Sequence, residues 1–378
     1  MKNLVEILAE IEDFRKARGK RYELVVILTM AIVAIMCGCK SYSAIAQWGR
    51  DYKGEITEAI GFRRKKTPCK ATLYRIFKDI GIKEIEEKVG KYFQEQMKEQ
   101  NNGKEIEAIA ADGKTLRGSK KQGSEISQLM SVVSQKLGLT LAQESIETKS
   151  NEIPKLQEMV KTLELENTVI TMDALHTQKQ TAQAVIDEGG DYLMIVKENQ
   201  KQLYDDIATV FLETPINTNT VINKEIETIE QTNIGHGRIE YRKLSTSSML
   251  NKYIEWPGVE QVFRLERNTI FKKTGKERNQ VVYGITSLSQ SKAKASSLLG
   301  FSRGQWSIEN RSHWVRDVTF DEDRSQVRCG NIAQLMACFR NLVIGLFRLS
   351  GFSNIASSCR SFAAKPWLAL ALVGISDN

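Results

Sequence analysis

Histidine is scarce in this chain of 378 residues: there are three, His176, His236 and His313. Six cysteines are scattered at positions 37, 39, 69, 329, 338 and 359, and none forms a CxxC pair. A structural zinc site draws four ligands from Cys and His at short spacings, so this distribution argues against one. Free thiols in a reducing cytosol are the simple reading. Long apolar runs are lacking too. The run at 24–39, LVVILTMAIVAIMCGC, is sixteen residues, short of the roughly 20 that cross a bilayer. Acids at Glu10, Glu12 and Asp13 are mixed with bases ahead of it, unlike the basic start of a signal peptide, and no small-residue cleavage site follows. The run reads as a buried core helix. No targeting signal, internal repeat or low-complexity tract is visible.

What is present is ordinary for a soluble globular chain, with 41% apolar and 26% charged residues. The length suffices for one large or two to three small folding units. Fifty-four Lys and Arg against 46 Asp and Glu leave a net charge of +8, which favours an anionic partner, either nucleic acid or an acidic membrane surface.

Residues 1–100 read as helical. Within them, 61–78 (GFRRKKTPCKATLYRIFK) carry seven Lys or Arg and no acid. Pro68 precedes Thr72, Leu73, Tyr74 and Ile76, a turn that launches a short helix with a basic flank. That pattern fits a helix-turn-helix recognition unit and equally a solvated basic loop before an ordinary helix. The texture changes near 104. Ile106, Ala108 and Ala110 alternate with polar positions and lead into Asp112, as a strand would. Strand patterns follow at 129–134 and 139–144, then a helix launched by Ser150 and Asn151 with Pro154 in its first turn. The β-branched run TVITM at 168–172 ends in Asp173, a helix spans 178–188, and a strand spans 192–196. Three strands, helix, strand, helix, strand is the order of an RNase H-like α/β layer. Alternating stretches at 222–232, 238–244, 261–271 and 281–286 then read as a β-rich insertion, and from 301 the chain is helical again. The expected division is 1–100 helical, 101–200 first part of the α/β core, 201–288 insertion, and 289–378 remainder of the core with C-terminal helices.

Three acids stand out. Asp112 and Asp173 each close a predicted strand, and ligands of open α/β sheets bind at that edge. Strand-end aspartates are also common turn formers. Here Lys114 and Arg117 flank the first (ADGKTLRGS), while His176, Gln178 and Lys179 follow the second. On a helix over 302–323, Gln305, Glu309, His313 and Arg316 share one face, flanked by Trp306, Ile308, Trp314 and Val315. The alternative is a surface helix laced with salt bridges. Three carboxylates suit Mg²⁺, a hard ion that prefers oxygen ligands and takes one or two carboxylates each.

KSNEI (149–153), TMDALHTQK (171–179), VKENQ (196–200), GHGRIEYR (235–242) and IENRSHWVRDVTFDED (308–323) together resemble the H-repeat-associated insertion-sequence transposases of the DDE superfamily. RYELVVIL and SYSAIAQWGR resemble the helical region that precedes their core, so the likeness spans nearly the whole chain. It implies an α/β fold: an RNase H-like catalytic core with a β-rich insertion, preceded by an all-α N-terminal domain. It further implies Mg²⁺- or Mn²⁺-dependent cleavage and strand transfer at double-stranded DNA ends, with two ions held by Asp112, Asp173 and Glu309. A homo-oligomer on DNA is expected, in a prokaryotic cytoplasm and away from membranes. Expected DNA contacts are Arg63, Arg64, Lys65, Lys66, Lys114, Arg117, His176, Lys197, Asn199, Arg303, His313 and Arg316. The related pattern places Tyr, Arg and Lys where this chain has Ser302, Gln305 and Arg316, and only the last keeps its charge; Arg303 is the candidate replacement for the arginine. A tight Gly-His-Gly turn accounts for His236 without chemistry. A stand-alone Mg²⁺ nuclease and a non-catalytic domesticated DNA-binding protein are the competing readings; the presence of all three acids, in a chain expected to run from its start Met through its final helices, favours the transposase.

Overall fold

The computed structural model describes residues 3–63, 66–101, 103, 105–117, 128–146, 151–212, 225–327 and 329–375. Helix α1 (Leu4–Ala9) begins at a reciprocal capping box, in which Asn3 and Glu6 each accept the other's backbone N–H. Helix α2 (Leu24–Met36) is the uncharged run noted above. All of its residues except Val25 are buried, so it is a core helix, as its composition and length require. Helix α3 (Tyr42–Asp51) starts where the Ser41 hydroxyl accepts from Ala44 N. Helix α4 (Glu55–Ile60) stops at Gly61, whose φ of 111° a side-chain-bearing residue adopts only with strain. Two residues after Pro68, α5 (Lys70–Asp79) opens. Helix α6 (Ile82–Asn101) buries Ile85, Val89, Phe93 and Met97, a stripe at every fourth residue.

The remaining elements are β1 (Glu107–Thr115), β2 (Gln128–Ser134), β3 (Thr140–Ile146), α7 (Glu152–Val160), β4 (Thr168–Met172), α8 (Lys179–Asp187), β5 (Asp191–Val196) and α9 (Lys201–Val210). After them come β6 (Ile226–Gly235), β7 (Arg238–Ser247), β8 (Gln261–Phe271), β9 (Glu277–Thr286), α10 (Ala295–Gly304), α11 (Trp314–Val318), α12 (Ile332–Leu349), α13 (Ile355–Ala364) and α14 (Trp367–Leu372). The fold is mixed α/β, with an RNase H-like core behind a helical N-terminal region. Ser150, expected to open α7, lies outside the described residues, as does the 222–224 start expected for the first strand of the insertion.

The chain forms two compact units. The first comprises Met1–Gln100, Gly113–Lys155 and Ser307–Asn378. Its core is built on α2, α12 and α6. Helix α12 is long and apolar enough to cross a membrane, but most of it is buried within the protein, the condition of a core helix. The β2–β3 antiparallel pair packs beside α12. At Gly90 of α6, a Cβ would stand 2.4 Å from the Leu141 carbonyl of β3, so the helix approaches this strand closely only because glycine is there.

The second unit comprises Asn101–Asp112 and Leu156–Trp306. Its strands pair in the order β1-β4-β5-β9-β8-β7-β6. The first three are parallel, with Ala110 opposite Thr171 and Met172 opposite Met194. From β5 onward the pairing is antiparallel. Val169, Leu193, Phe263 and Leu265 meet Leu298 and Leu299 of α10 in one apolar cluster. The β6–β7 hairpin closes through His236 (φ 49°) and Gly237 (φ 73°). Two successive left-handed residues are what a tight hairpin turn demands, so His236 serves the turn.

Candidate active site

The parallel ladder of β1 and β4 ends at the Ala110–Thr171 pair. Asp112 and Asp173 each lie two residues beyond it, at the same level on neighbouring strands. Asp112 does not close its strand, as the alternation had suggested. β1 runs on to Thr115, three residues past the aspartate. Asp173 does close β4; it is exposed, remains extended (φ −76°, ψ 176°), and its Oδ1 accepts from Leu175 N at 3.1 Å. The aspartate therefore caps the short turn Ala174–His176 while keeping a second oxygen for other use.

That turn is held from the next strand over. Asn199, just past β5, donates Nδ2 to the Ala174 carbonyl at 2.8 Å, and Gln200 donates to the Thr177 carbonyl at 3.1 Å. Thr177 returns a bond to the Ile195 carbonyl at 2.6 Å. His176 is buried at 1% exposure, whereas Lys197 is exposed beyond the end of β5. The same edge of the parallel strands thus carries two carboxylates and one ammonium. Arg303 of α10 is exposed and donates to Gln231 of β6 at 2.6 Å.

In the first unit, the segment around Glu309 is not one regular α-helix. Residues Glu309–His313 form a π-helical turn followed by α11. Its i→i+5 bonds take an extra residue per turn, which breaks the shared face expected for Glu309, His313 and Arg316. Glu309 is exposed, while His313 and Arg316 are buried. Trp314, expected to pack, is 58% exposed, and Val315 is buried in its place; Trp306, in the second unit, is likewise 53% exposed. Such π-turns are frequent at functional sites.

Four further acids follow Glu309, and each has a cationic neighbour. Lys114 donates to both Asp317 oxygens at 2.8 and 2.7 Å. Asp321 faces Arg324 at 3.6 Å, and Asp323 faces Arg117 at 3.7 Å. Glu322 is buried between Arg316 and Arg340, with 2.7 Å to each. Burial raises its pKa, but the two guanidiniums outweigh that and hold it at about 2. Glu309 has no cationic partner within 4.0 Å among the described residues. Burial, reinforced by Arg316 and Lys114, pushes His313 down to about 3, so its ring is neutral. Arg328 lies outside the described residues.

Of the basic run at 63–66, Arg63 is exposed near Glu23 at 3.4 Å and Lys66 is exposed, while Arg64 and Lys65 lie outside the described residues. Lys66 lines a groove of about 870 Å³ together with Lys16, Arg21, Arg50, Lys53 and Arg75. The lining has one acid, Asp79; Arg15 also lines it but is neutralised by Asp13 at 2.8 Å. Most of these cations escaped the sequence reading. They are dispersed over some sixty positions, and no contiguous charge run announces them.

Among the described residues, no group of three or more His, Cys, Asp or Glu side chains lies close enough to hold a metal ion. Asp112 and Asp173 nonetheless form a donor set of the right chemistry, since Mg²⁺ takes one or two carboxylates and completes its shell with water and phosphate.

An RNase H-like layer with paired aspartates at the end of adjacent parallel strands defines a class of phosphoryl-transfer proteins. Residues 103–346 match the family model described as "Transposase DDE domain", and residues 5–93 match the one described as "DDE_Tnp_1-associated". The chain belongs to the DDE transposase family. It is 28% identical over 359 residues to the "Putative transposase YncI" of Escherichia coli O157:H7, covering 92% of this chain and 88% of that one. To the "H repeat-associated putative transposase YhhI" of Escherichia coli (strain K12) it is 27% identical, covering 92% and 90%. Against a solved piggyBac transposase synaptic complex with hairpin DNA the TM-score is 0.43 at 11% identity, covering 99% of this chain and 80% of that one. That likeness bears no weight here.

Proposed function

We propose that this chain binds insertion-sequence ends in double-stranded DNA and catalyses divalent-metal-dependent phosphodiester cleavage and strand transfer, as a homo-oligomer in the cytoplasm. The observation that carries the reading is the placement of Asp112 and Asp173 two residues past one register pair on adjacent parallel strands. Neighbouring strands lie about 4.8 Å apart, so carboxylates at one level can share an ion. Asp112 and Asp173 would hold Mg²⁺ or Mn²⁺, with Glu309 assigned as third acid from its motif and its unpaired, exposed carboxylate. A bound pair of such ions supplies activation of the attacking hydroxyl and offsets charge on the leaving 3′-oxygen.

The protein's own groups position the substrate. Lys197 at the strand edge, Arg117 and Arg303 are exposed and suited to phosphate. Asn199 orders the turn after Asp173. Lys114, His176, His313 and Arg316 are buried, and we assign them to holding the acid-bearing segments. The cationic groove of the helical region would grip the DNA backbone, along with Arg63 and the basic run.

The test is cleavage of a duplex carrying the element's own ends. Activity is expected with Mg²⁺ and Mn²⁺, and binding without cleavage in Ca²⁺, which tolerates looser, higher-coordinate geometry. Cleavage that persists in chelator would overturn the metal assignment.

A further inference from the structure

We propose that Gln305 is a positioning residue that fixes the separation of the Asp112 and Asp173 carboxylates by bridging the ends of β1 and β4. The proposal rests on the reading of these aspartates as metal ligands.

Gln305 follows α10 and is half-buried. Its Nε2 donates to the Ala111 carbonyl at 3.0 Å, and its Oε1 accepts from the Thr171 hydroxyl. Thr171 Oγ1 also lies 3.1 Å from the Ile109 carbonyl and is fully buried. The orientation of the amide follows from chemistry. A backbone carbonyl can only accept, so the NH₂ end must face Ala111 and the oxygen must face the hydroxyl.

Side chains alternate along a strand, and residues paired across a ladder share a face. Ala110 is opposite Thr171; Asp112 is two residues past the first and Asp173 two past the second. All four therefore project to one face, the face Gln305 reaches through Thr171. The β1–β4 ladder ends at this pair, so nothing in it ties Ala111 to β4. The Gln305 amide takes up the Ala111 carbonyl, the peptide unit that leads directly into Asp112. Its other end holds the hydroxyl one alternation before Asp173. One planar group thus sets the spacing of two strand ends that would otherwise splay.

Such a group controls ligand geometry without touching the ion, and outer-shell partners of metal ligands typically cost about 10–100-fold in affinity when removed. The experiment measures Mn²⁺ binding to the full-length protein without DNA, from the loss of the free-ion paramagnetic resonance signal, with thermal unfolding of each variant alongside. Gln305→Ala and Thr171→Val are expected to weaken Mn²⁺ binding by about 10–100-fold, while Thr171→Ser, which keeps the hydroxyl, binds as the parent does. Asp112→Asn and Asp173→Asn should abolish binding. If both aspartate variants bind Mn²⁺ normally, the site itself is misassigned. If they lose it while Gln305→Ala and Thr171→Val bind like the parent, the positioning role is overturned and the site stands. Should Gln305→Ala fail to fold, Thr171→Val against Thr171→Ser decides the question.

Discussion

Glu322 Oε2 accepts from Arg316 Nε at 2.7 Å, with neither side chain more than 3% exposed. Arg340 completes the cluster on the other carboxylate oxygen at 2.7 Å and donates onward to the Lys40 carbonyl at 3.1 Å. This acid is structural, thirteen positions from one that is exposed and unpaired.

The two should therefore fail differently. Glu322→Gln leaves two buried guanidiniums undercompensated and is expected to cost about 3–5 kcal/mol of stability, read in denaturant unfolding. Glu309→Gln should leave unfolding unchanged and abolish strand cleavage with DNA binding intact. Asp321→Asn, whose partner Arg324 is exposed, should retain substantial cleavage. A cleaving Glu309→Gln protein beside a correctly folded but inactive tail-acid variant would move the third ligand.

Asp112→Asn and Asp173→Asn keep shape and remove charge. Each should lower cleavage by at least about 10²–10³-fold, the scale of deleting one preorganised electrostatic group. The double variant should be little worse than either single one, because the pair acts as a unit. Additive losses in single-turnover cleavage would contradict a shared site.

The helical-region groove predicts a salt signature. Each phosphate neutralised contributes about 0.9 to the slope of log affinity against log salt. Replacing Arg21, Lys53, Lys66 and Arg75 of the lining with Gln should flatten that slope by about 2–4. The corresponding change at Arg63, Arg64 and Lys65 tests the contiguous basic run separately. A slope that does not move would assign the groove to something other than DNA.

Stability should also depend on pH through Glu86. Burial pushes its carboxyl up to about 8, against the lowering effect of amide donors from Gln143 and Gln334. Folding then takes up a proton between the ordinary value of 4.5 and about 8. Its contribution is fully present below 4.5, falls as pH rises through that window at up to about 1.4 kcal/mol per unit, and is flat above it. Glu86→Gln is neutral throughout, so its stability relative to the parent should climb from pH 5 to pH 8. A constant difference across that range would rule out the shift.

The periodicities that were strongest in the sequence appear as elements in the structure. The uncharged run at 24–36 could only be a core helix, because burial is the one environment that rewards thirteen consecutive residues without a charge. The strand 261–271 and the turn at His236 were legible for similarly local reasons: alternation marks a two-faced strand, and Gly-His-Gly permits successive positive φ angles. The segment 302–323 was not. Its spacing suited a continuous α-helix, yet α10 stops at Gly304 and a π-turn follows. Bond pattern within a helix is set by what each residue packs against, which spacing does not encode.

Local sequence determined that Asp112 and Asp173 would stand beside strands, that a basic run would precede α5, and that 308–323 would be rich in acids. Tertiary structure alone decided which of those acids are held by cations, which dispersed lysines and arginines line one groove, and that Gln305 reaches two strand ends more than 130 positions away in the chain. A residue's own type and near neighbours govern its backbone preference. Its electrostatic partner depends on which distant segments the core brings beside it, and that is a property of packing.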